Sequence, residues 1–235
     1  MLVNPGPGVD LTILFPPVYA QGEIKSCTAC AVAGAFQYEL SQIEATAAFP
    51  PSILFIYYNQ RVWQNTVDDD SGATIRDALY SLQHKGVCTT ASWPYVIYEV
   101  TKKPFESCYQ NALLTRIQQY QKVEQDLSQM KACLAEKHPI VFGLSLYDSF
   151  YSDVVKGNGI VPVPQPSERL VTGHAAVIVG FDDASEAFIV RNSWSTSWGI
   201  NGYCTIPYQY LLNPNLARDF WTIRLDPQQI LLNSQ

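Results

Sequence analysis

Three side chains in this sequence are of the types that acyl transfer through a thioester requires. Cys27 stands at the start of an apolar stretch that predicts a buried helix, and the N-terminal end of a helix stabilises a thiolate. His174 precedes an apolar stretch that predicts a buried strand, and Gln21, six residues before Cys27, carries an amide that could donate to a developing oxyanion. Thiolate, imidazole and oxyanion donor together predict covalent acyl-transfer chemistry.

A polar loop after the next predicted strand adds a fourth group. It reads Asn192-Ser193-Trp194-Ser195-Thr196-Ser197-Trp198-Gly199, and the amide of Asn192 is of the kind that orients an imidazole. The other two histidines, His84 and His138, each stand at a predicted helix end, where the helix dipole favours a cation. We interpret those two as capping or surface residues, and His174 as the candidate general base.

The pattern of apolar residues predicts helices in the first half of the chain and strands in the second. Helices are predicted over residues 28–40 with Ser26 as N-cap, from Ile53 with Ser52 as N-cap, around Ile75, Leu79 and Leu82, and over about residues 121–137. Strands are predicted over 140–144, 175–181, 187–190 and 220–225. This order predicts an α+β fold with a ligand cleft where the two halves meet.

Composition limits the classes of function. The chain has 235 residues, of which 47% are hydrophobic and 15% charged, so it is long and apolar enough for a globular core. The net charge of −6 and the lack of a basic stripe argue against nucleic-acid binding. No apolar run reaches the ~20 residues of a membrane span, and residues 1–17 do not have the pattern of a secretory signal. The six cysteines lack the paired spacing of a zinc site, and we expect neither a metal nor an organic cofactor.

Taken in order, these motifs resemble those of the papain family of cysteine peptidases. The stretch from Gln21-Gly22 to Ser26-Cys27 is similar to the family's nucleophile motif, and the stretch from His174-Ala175 to Gly180-Phe181 is similar to its histidine strand. The block from Asn192-Ser193-Trp194 to Gly202-Tyr203 is the most specific match. His174 and Asn192 follow Cys27 by about 147 and about 165 residues, close to the ~130–150 residues typical of the family.

The resemblance implies a two-lobed fold in one catalytic domain over residues 1–235. It implies a helical lobe over about 17–115, an antiparallel, β-barrel-like lobe over about 116–235, and an active-site cleft between them. Residues 1–16 would be an N-terminal arm or the remnant of a prosegment, and a packed arm is the interpretation that we favour.

The resemblance also implies a role for each matching residue. Cys27 would be the nucleophile, His174 the general base and then the general acid, and Asn192 the residue that holds the imidazole. Gln21 and the backbone N–H of Cys27 would form the oxyanion hole. The residues implied to contact substrate or to enclose the site are Ser71, Gly72, Ala73, Thr172, Gly173 and Trp194.

Several positions depart from the family pattern, and these replacements resemble its bacterial branch. Ile24 stands where the family has a half-cystine, so that disulfide is absent. Thr28 replaces the tryptophan after the nucleophile, Lys25 the glycine two residues before it, and Ser195 the glycine after Asn-Ser-Trp. Cys88, Cys108, Cys133 and Cys204 could pair in three ways or stay as buried thiols.

The predicted function is a thiol endopeptidase that hydrolyses peptide bonds. We expect protein or peptide substrates, protein inhibitors or its own prosegment as partners, a monomeric state, and a secreted, otherwise exported or lysosome-like location by family habit. The alternatives are a catalytically inactive papain-like module that binds peptides or an inhibitor, and a transpeptidase that uses the same thioester. A more remote alternative is a thiol-disulfide oxidoreductase built on Cys27-Thr28-Ala29-Cys30, although no βαβ pattern follows that motif.

Overall fold

The computed structural model describes residues 6–43 and 48–227, and the chain divides into two compact units. The helical unit consists of Gln21–Gln121 together with the end of the chain from Ile223. The β unit consists of Lys122–Thr222 together with the residues before Gln21. Among the described helices, none combines the length and the apolar character needed to cross a membrane.

Four α-helices are described in the helical unit. These are α1 (Cys27–Ile43), α2 (Ile53–Gln64), α3 (Ile75–His84) and α4 (Glu106–Ala112). The helix α1 is buried along nearly its whole length, as its apolar sequence predicts. Ser52 caps α2 by accepting from the backbone N–H of Phe55, and Thr74 caps α3 by accepting from that of Asp77. The three helices predicted in this part of the sequence are therefore confirmed.

The β unit is built on an antiparallel sheet. Its elements are β1 (Gly8–Asp10), β2 (Gln119–Lys122), α5 (Leu127–Ala135), β3 (Ile140–Tyr147), α6 (Asp153–Asn158), β4 (Leu170–Asp182), β5 (Ala187–Arg191), β6 (Tyr203–Pro207), α7 (Tyr208–Leu211) and β7 (Ala217–Arg224), where β2 and β7 run on into the helical unit. The strand order is β2-β7-β3-β4-β5-β6, with β1 paired to β4. This order has two ends, so the strands expected to be barrel-like form a sheet that is not a closed barrel. The α+β class is confirmed.

One predicted helix is shorter than expected. The sequence pattern predicts a helix over about 121–137, but residues 119–122 form β2 and the helix α5 begins only at Leu127. The backbone N–H of Val123 donates to the carbonyl of Phe220, which continues the strand pairing. Asp126 then caps α5 by accepting from the backbone N–H of Gln129. Strand pairing and this cap together override the apolar spacing before Leu127.

The N-terminal segment is held in the β unit by a buried arginine. Arg191 donates to the backbone carbonyls of Pro16 and Pro17, each at 2.7 Å, and is only 2% exposed. Nearer the N-terminus, β1 passes so close to β4 that a Cβ on Gly180 would lie 2.2 Å from the carbonyl oxygen of Val9. Only glycine at position 180 allows β1 and β4 to approach this closely.

Candidate active site

Cys27 is the first residue of α1 and is partly buried. The helix opens at Ser26, whose carbonyl accepts from the backbone N–H of Cys30 at 2.9 Å. A helix leaves its first backbone N–H groups outside its own hydrogen-bond ladder, so the N–H of Cys27 is directed out of the helix. The thiol and this N–H are therefore presented at the positive end of a buried helix.

Gln21 begins the turn that leads to Cys27. Its side-chain nitrogen Nε2 donates to the carbonyl oxygen of Ile24 at 3.0 Å, and the residue is 8% exposed. Gly22 follows with a φ of +65°, a left-handed conformation that favours glycine. The carbonyl oxygen of Gln21 accepts from the hydroxyl of Tyr95 at 2.7 Å. The hydrogen bond to Ile24 thus fixes the orientation of the side-chain amide of Gln21.

Asp70 fixes the middle of the same turn. Its two carboxylate oxygens accept from the backbone N–H of Lys25 at 3.0 and 3.1 Å, and one also accepts from the hydroxyl of Tyr57 at 2.6 Å. The hydroxyl of Tyr57 in turn accepts from the backbone N–H of Gly72 at 2.9 Å. Burial, and after it the hydrogen bond to Asp70, raises the pKa of Tyr57, so the phenol keeps its proton. Ser71, Gly72 and Ala73 therefore come directly after Asp70, the residue that anchors the turn.

The loop that carries Asp70 is supported by a buried arginine. Arg61, fully buried in α2, donates to the carbonyls of Val67, Asp69 and Val100. Its guanidinium also lies 4.1 Å from the centre of the ring of Tyr57. Burial lowers the pKa of Arg61. The planar fork of donors suits this group of carbonyls, which a single ammonium could not satisfy.

His174 lies on β4 opposite Leu144 of β3 and is 9% exposed. Its Nε2 is 2.8 Å from Oδ1 of Asn192, the residue that follows β5. The same Oδ1 accepts from the backbone N–H of Ser193 at 2.8 Å, so it is the oxygen of the amide. An amide oxygen only accepts, and Nε2 of His174 must therefore be the protonated nitrogen. This leaves Nδ1 as the basic nitrogen of the ring.

Burial lowers the pKa of His174 to about 4, and the hydrogen bond to Asn192 opposes that shift only in part. The imidazole is therefore neutral near pH 7, with its tautomer fixed by Asn192. A neutral, oriented imidazole is the form that can accept a proton from a nucleophile.

Trp194 stands next to this pair. The ring of Trp194 lies 5.1 Å from the imidazole of His174, centre to centre, and packs edge-to-face with Phe150 and Trp198. Thr172 and Gly173 immediately precede His174 on β4 and are exposed. The imidazole therefore lies beside an indole, at the point where the exposed start of β4 passes into its buried part.

The glycine at the end of the asparagine motif has a packing role. Gly202 has a φ of +86°, and a Cβ there would lie 2.6–2.8 Å from the side chain of Val18. Its carbonyl accepts from the backbone N–H of Asn192 at 3.0 Å. The close packing of Gly202 on Val18 thus places the carbonyl that holds the backbone of Asn192.

The predicted residues fall into two groups, one in each unit. The helical unit holds Gln21, Cys27, Ser71, Gly72 and Ala73, and the β unit holds Thr172, Gly173, His174, Asn192 and Trp194. None of the six cysteines forms a disulfide, so the structure contains no Cys27–Cys30 bridge. Within residues 6–43 and 48–227, no group of three or more His, Cys, Asp or Glu side chains is arranged to hold a metal ion.

Three supporting residues were not predicted from the sequence. Tyr57 lies in the helix predicted from Ile53, and Asp70 and Tyr95 lie outside the predicted helices and strands. Their hydroxyl and carboxylate groups bond to backbone atoms far away in the sequence. Only the uncommon combination of three consecutive aspartates with a following Ser-Gly could have pointed to one of them.

Comparisons with known proteins identify the family and the fold of the chain. The sequence profile described as papain family cysteine protease matches residues 12–213. An uncharacterized peptidase C1-like protein of Acanthamoeba polyphaga mimivirus is 37% identical over 221 residues, which are 91% of this chain and 71% of the viral protein. Peptidase 1 of Dermatophagoides pteronyssinus is 30% identical over 144 residues, and the match spans 56% of this chain and 40% of that protein.

Solved structures show the same fold. Xylellain, a cysteine protease from Xylella fastidiosa, superimposes with a TM-score of 0.89 at 41% identity and covers 94% of this chain and 86% of its own. The digestive procathepsin L 3 of the Tenebrio molitor larval midgut gives a TM-score of 0.74 at 16% identity, over 96% of this chain and 72% of its own, and shows the fold alone. The resemblance drawn from the motifs is confirmed, and the chain belongs to the papain family of cysteine proteases, which are peptide hydrolases.

Proposed function

We propose that this protein is an endopeptidase that hydrolyses peptide bonds through a thioester on Cys27. The observation that carries the proposal is the hydrogen bond from Nε2 of His174 to Asn192, because it leaves Nδ1 as a base on a neutral imidazole. We assign this nitrogen as the base for the Cys27 thiol. Cys27, His174 and Asn192 are all present, which favours an active peptidase over a binding module.

In the first half of the reaction, Nδ1 of His174 takes the proton of the Cys27 thiol. The sulfur attacks the peptide carbonyl carbon, and the electron pair of the C=O bond moves to oxygen. The amide of Gln21 and the backbone N–H of Cys27 donate to this oxyanion. When the oxyanion collapses, the C–N bond breaks and the imidazolium of His174 gives its proton to the leaving amine.

In the second half, water attacks the thioester carbonyl while Nδ1 of His174 takes a proton from it. Collapse breaks the C–S bond, releases the acid and returns the proton to sulfur. Asn192 holds the ring in one orientation through both transfers, and Trp194 keeps water from the hydrogen bond between Asn192 and His174.

Substrate would bind as an extended chain. The backbone at Ser71, Gly72 and Ala73 would supply strand-like pairing, apart from the N–H of Gly72, which donates to the hydroxyl of Tyr57. Thr172 and Gly173 would line the pocket for the second side chain before the scissile bond. A Cβ on Gly173 would have no atom within 4 Å, so there is open space at this point of β4. We further propose that the protein acts as a secreted or otherwise exported monomer, made as a zymogen, with a prosegment or protein inhibitors as partners.

The test combines an active-site label with turnover. The protein is incubated with an epoxide inhibitor of papain-type enzymes, and the adduct is located by intact mass and peptide mapping. A single adduct on Cys27 that is lost in His174→Ala, together with peptide hydrolysis that is lost in Cys27→Ala, would support the proposal. Cys133→Ala is the matched control, because Cys133 is also a partly buried thiol but lies in α5. Labelling spread over several cysteines, or turnover by Cys27→Ala, would contradict it.

Gln21→Ala tests the oxyanion donor separately. Loss of one such donor should lower kcat by about 10²–10³-fold, or roughly 3–4 kcal/mol of barrier, without preventing the labelling of Cys27. A near-normal kcat would rule out this role for Gln21.

A further inference from the structure

One tyrosine hydroxyl bonds to both ends of the turn that precedes Cys27. The hydroxyl of Tyr95 donates to the carbonyl oxygen of Gln21 at 2.7 Å and lies 2.7 Å from Oγ of Ser26. Gln21 starts the turn, and Ser26 is the last residue before the nucleophile. A single atom from a segment some 70 residues away thus joins the two ends of the turn.

The direction of each hydrogen bond follows from the number of protons. A phenol has one proton, and a carbonyl oxygen can only accept, so the proton of Tyr95 lies toward Gln21. Ser26 must then donate to the phenol oxygen, and its own oxygen lies 3.8 Å from Sγ of Cys30, which can donate to it. Ser26 and Cys30 are almost fully buried, and burial raises the pKa of Tyr95, so the phenol keeps its proton at ordinary pH.

Tyr95 is itself held on rigid structure. The carbonyl of Trp93, two residues earlier, accepts from Oγ of Ser52, the N-cap of α2, at 2.6 Å. The indole of Trp93 is 2% exposed and packs edge-to-face with Phe105. The start of α2 therefore fixes the segment from which the hydroxyl of Tyr95 projects.

We propose that Tyr95 is a positioning residue for the oxyanion hole, a role that rests on the proposed peptidase function. Asp70 anchors Lys25 in the middle of the turn, whereas Tyr95 fixes the distance between its ends. The two ends carry the two oxyanion donors, the amide of Gln21 and the backbone N–H that follows Ser26. The hydroxyl of Tyr95 keeps those donors converging on one point without touching the substrate.

The test is Tyr95→Phe, which removes one oxygen and keeps the ring. The matched control is Tyr109→Phe, because the hydroxyl of Tyr109 bonds to Asn59 in the same unit and takes no part in the turn. With a fluorogenic peptide, Tyr95→Phe should lower kcat at least about tenfold while KM changes by less than about twofold. Tyr109→Phe should leave kcat within about twofold of the wild type at a comparable loss of thermal stability.

A second readout separates positioning from general damage. Alkylation of Cys27 by iodoacetamide develops no oxyanion, so its rate should stay within about twofold in Tyr95→Phe. In a Gln21→Ala background, Tyr95→Phe should cost clearly less than it does alone, because one of the donors that it positions is already missing. Ser26→Ala removes the second contact of the hydroxyl together with the contact between Ser26 and Cys30. It should lower kcat by less than Tyr95→Phe, and it serves in its place if that variant does not fold.

Each remaining outcome overturns the proposal. If kcat is unchanged in Tyr95→Phe, or if kcat and the alkylation rate fall together, or if the losses add fully with those of Gln21→Ala, Tyr95 does not position the oxyanion hole. If the wild type itself hydrolyses no peptide and takes no epoxide label, the peptidase function fails first and this role fails with it. Wild-type turnover thus tells the two failures apart.

Discussion

The imidazole of His174 donates from Nε2 to Oδ1 of Asn192 at 2.8 Å, and this bond determines which ring nitrogen is basic. The oxygen of Asn192 is in turn fixed by the backbone N–H of Ser193. The asparagine therefore selects a tautomer and an orientation, and it contributes no proton of its own.

Asn192→Ala should lower kcat/KM by about 10–10²-fold, because the imidazole loses its orientation but keeps its basic nitrogen. Cys27→Ala should abolish turnover altogether. Thr196→Ala is a suitable control, since Thr196 is an exposed residue of the same loop. Steady-state kinetics with one peptide substrate checks all three, and an Asn192→Ala variant as inactive as Cys27→Ala would show that Asn192 does more than orient.

In a Cys27→Ala variant, which has no thiolate to pair with the imidazole, His174 should titrate at a pKa of about 4 rather than 6.5. The folded protein then resists protonation of a group that the unfolded chain protonates readily. The free energy of unfolding should therefore fall as the pH is lowered from about 6.5 to about 4, by up to about 3 kcal/mol.

Two measurements test this pH dependence. The ring protons of His174 can be followed by NMR, and urea unfolding can be compared between Cys27→Ala and Cys27→Ala/His174→Asn at each pH. The difference between the two variants should change between pH 6.5 and 4, and it should stay constant above pH 6.5. An NMR midpoint near 6.5 would show that the ring is solvated.

The buried thiols should react far more slowly than Cys27. Burial raises the pKa of Cys88 to about 12, with its neighbour Cys108 adding to the shift, and burial also raises the pKa of Cys204. Since the thiolate is the reactive form, neither should be alkylated in the native protein at neutral pH. Limited treatment with iodoacetamide followed by peptide mapping checks this, with urea-unfolded protein as the control in which all six cysteines react. If Cys204 were labelled in the native protein at a rate similar to that of Cys27, its thiol would not be protected by burial.

Arg61→Met should lower the free energy of unfolding by about 3 kcal/mol or more, because the carbonyls of Val67, Asp69 and Val100 would lose their donor in the interior. Arg61→Lys should recover only a part, since one ammonium cannot reach all three. Urea unfolding measures both variants against Arg76→Met, an exposed arginine of α3 whose loss should change stability by no more than about 0.5 kcal/mol. Equal stability of Arg61→Met and the wild type would show that Arg61 does not stabilise the loop that carries Asp70.

The candidate site residues could be predicted from the sequence where they lie in an element or motif that has a clear local pattern. Cys27 could be placed at a helix start and His174 at a strand because apolar spacing marks both elements, and Asn192 because its motif is specific. Supports that act across long stretches of chain were not predictable in this way. The hydroxyl of Tyr95 is one among 14 tyrosines, and nothing near it in the sequence indicates Gln21 as its partner.

The misplaced start of α5 has the same physical cause. Val123 fits the apolar spacing of the helix, yet its backbone N–H is used by Phe220, almost 100 residues later. A local pattern contains no information about such a competing partner. Asp126 caps the helix where it begins, and the strand pairing at Val123 shows why it cannot begin earlier.

The anchoring of Pro16 and Pro17 by Arg191 has a consequence for the order of folding. During synthesis the first segment leaves the ribosome long before the arginine that binds it, while Gln21–Gln121 can already form α1 to α4. Pro16 and Pro17 must therefore remain without this anchor until β5 has emerged, and the β unit closes late through contacts of very large sequence separation. Folding of the β unit should accordingly be slow, and its rate should depend on a segment that lies more than 170 residues from its anchor.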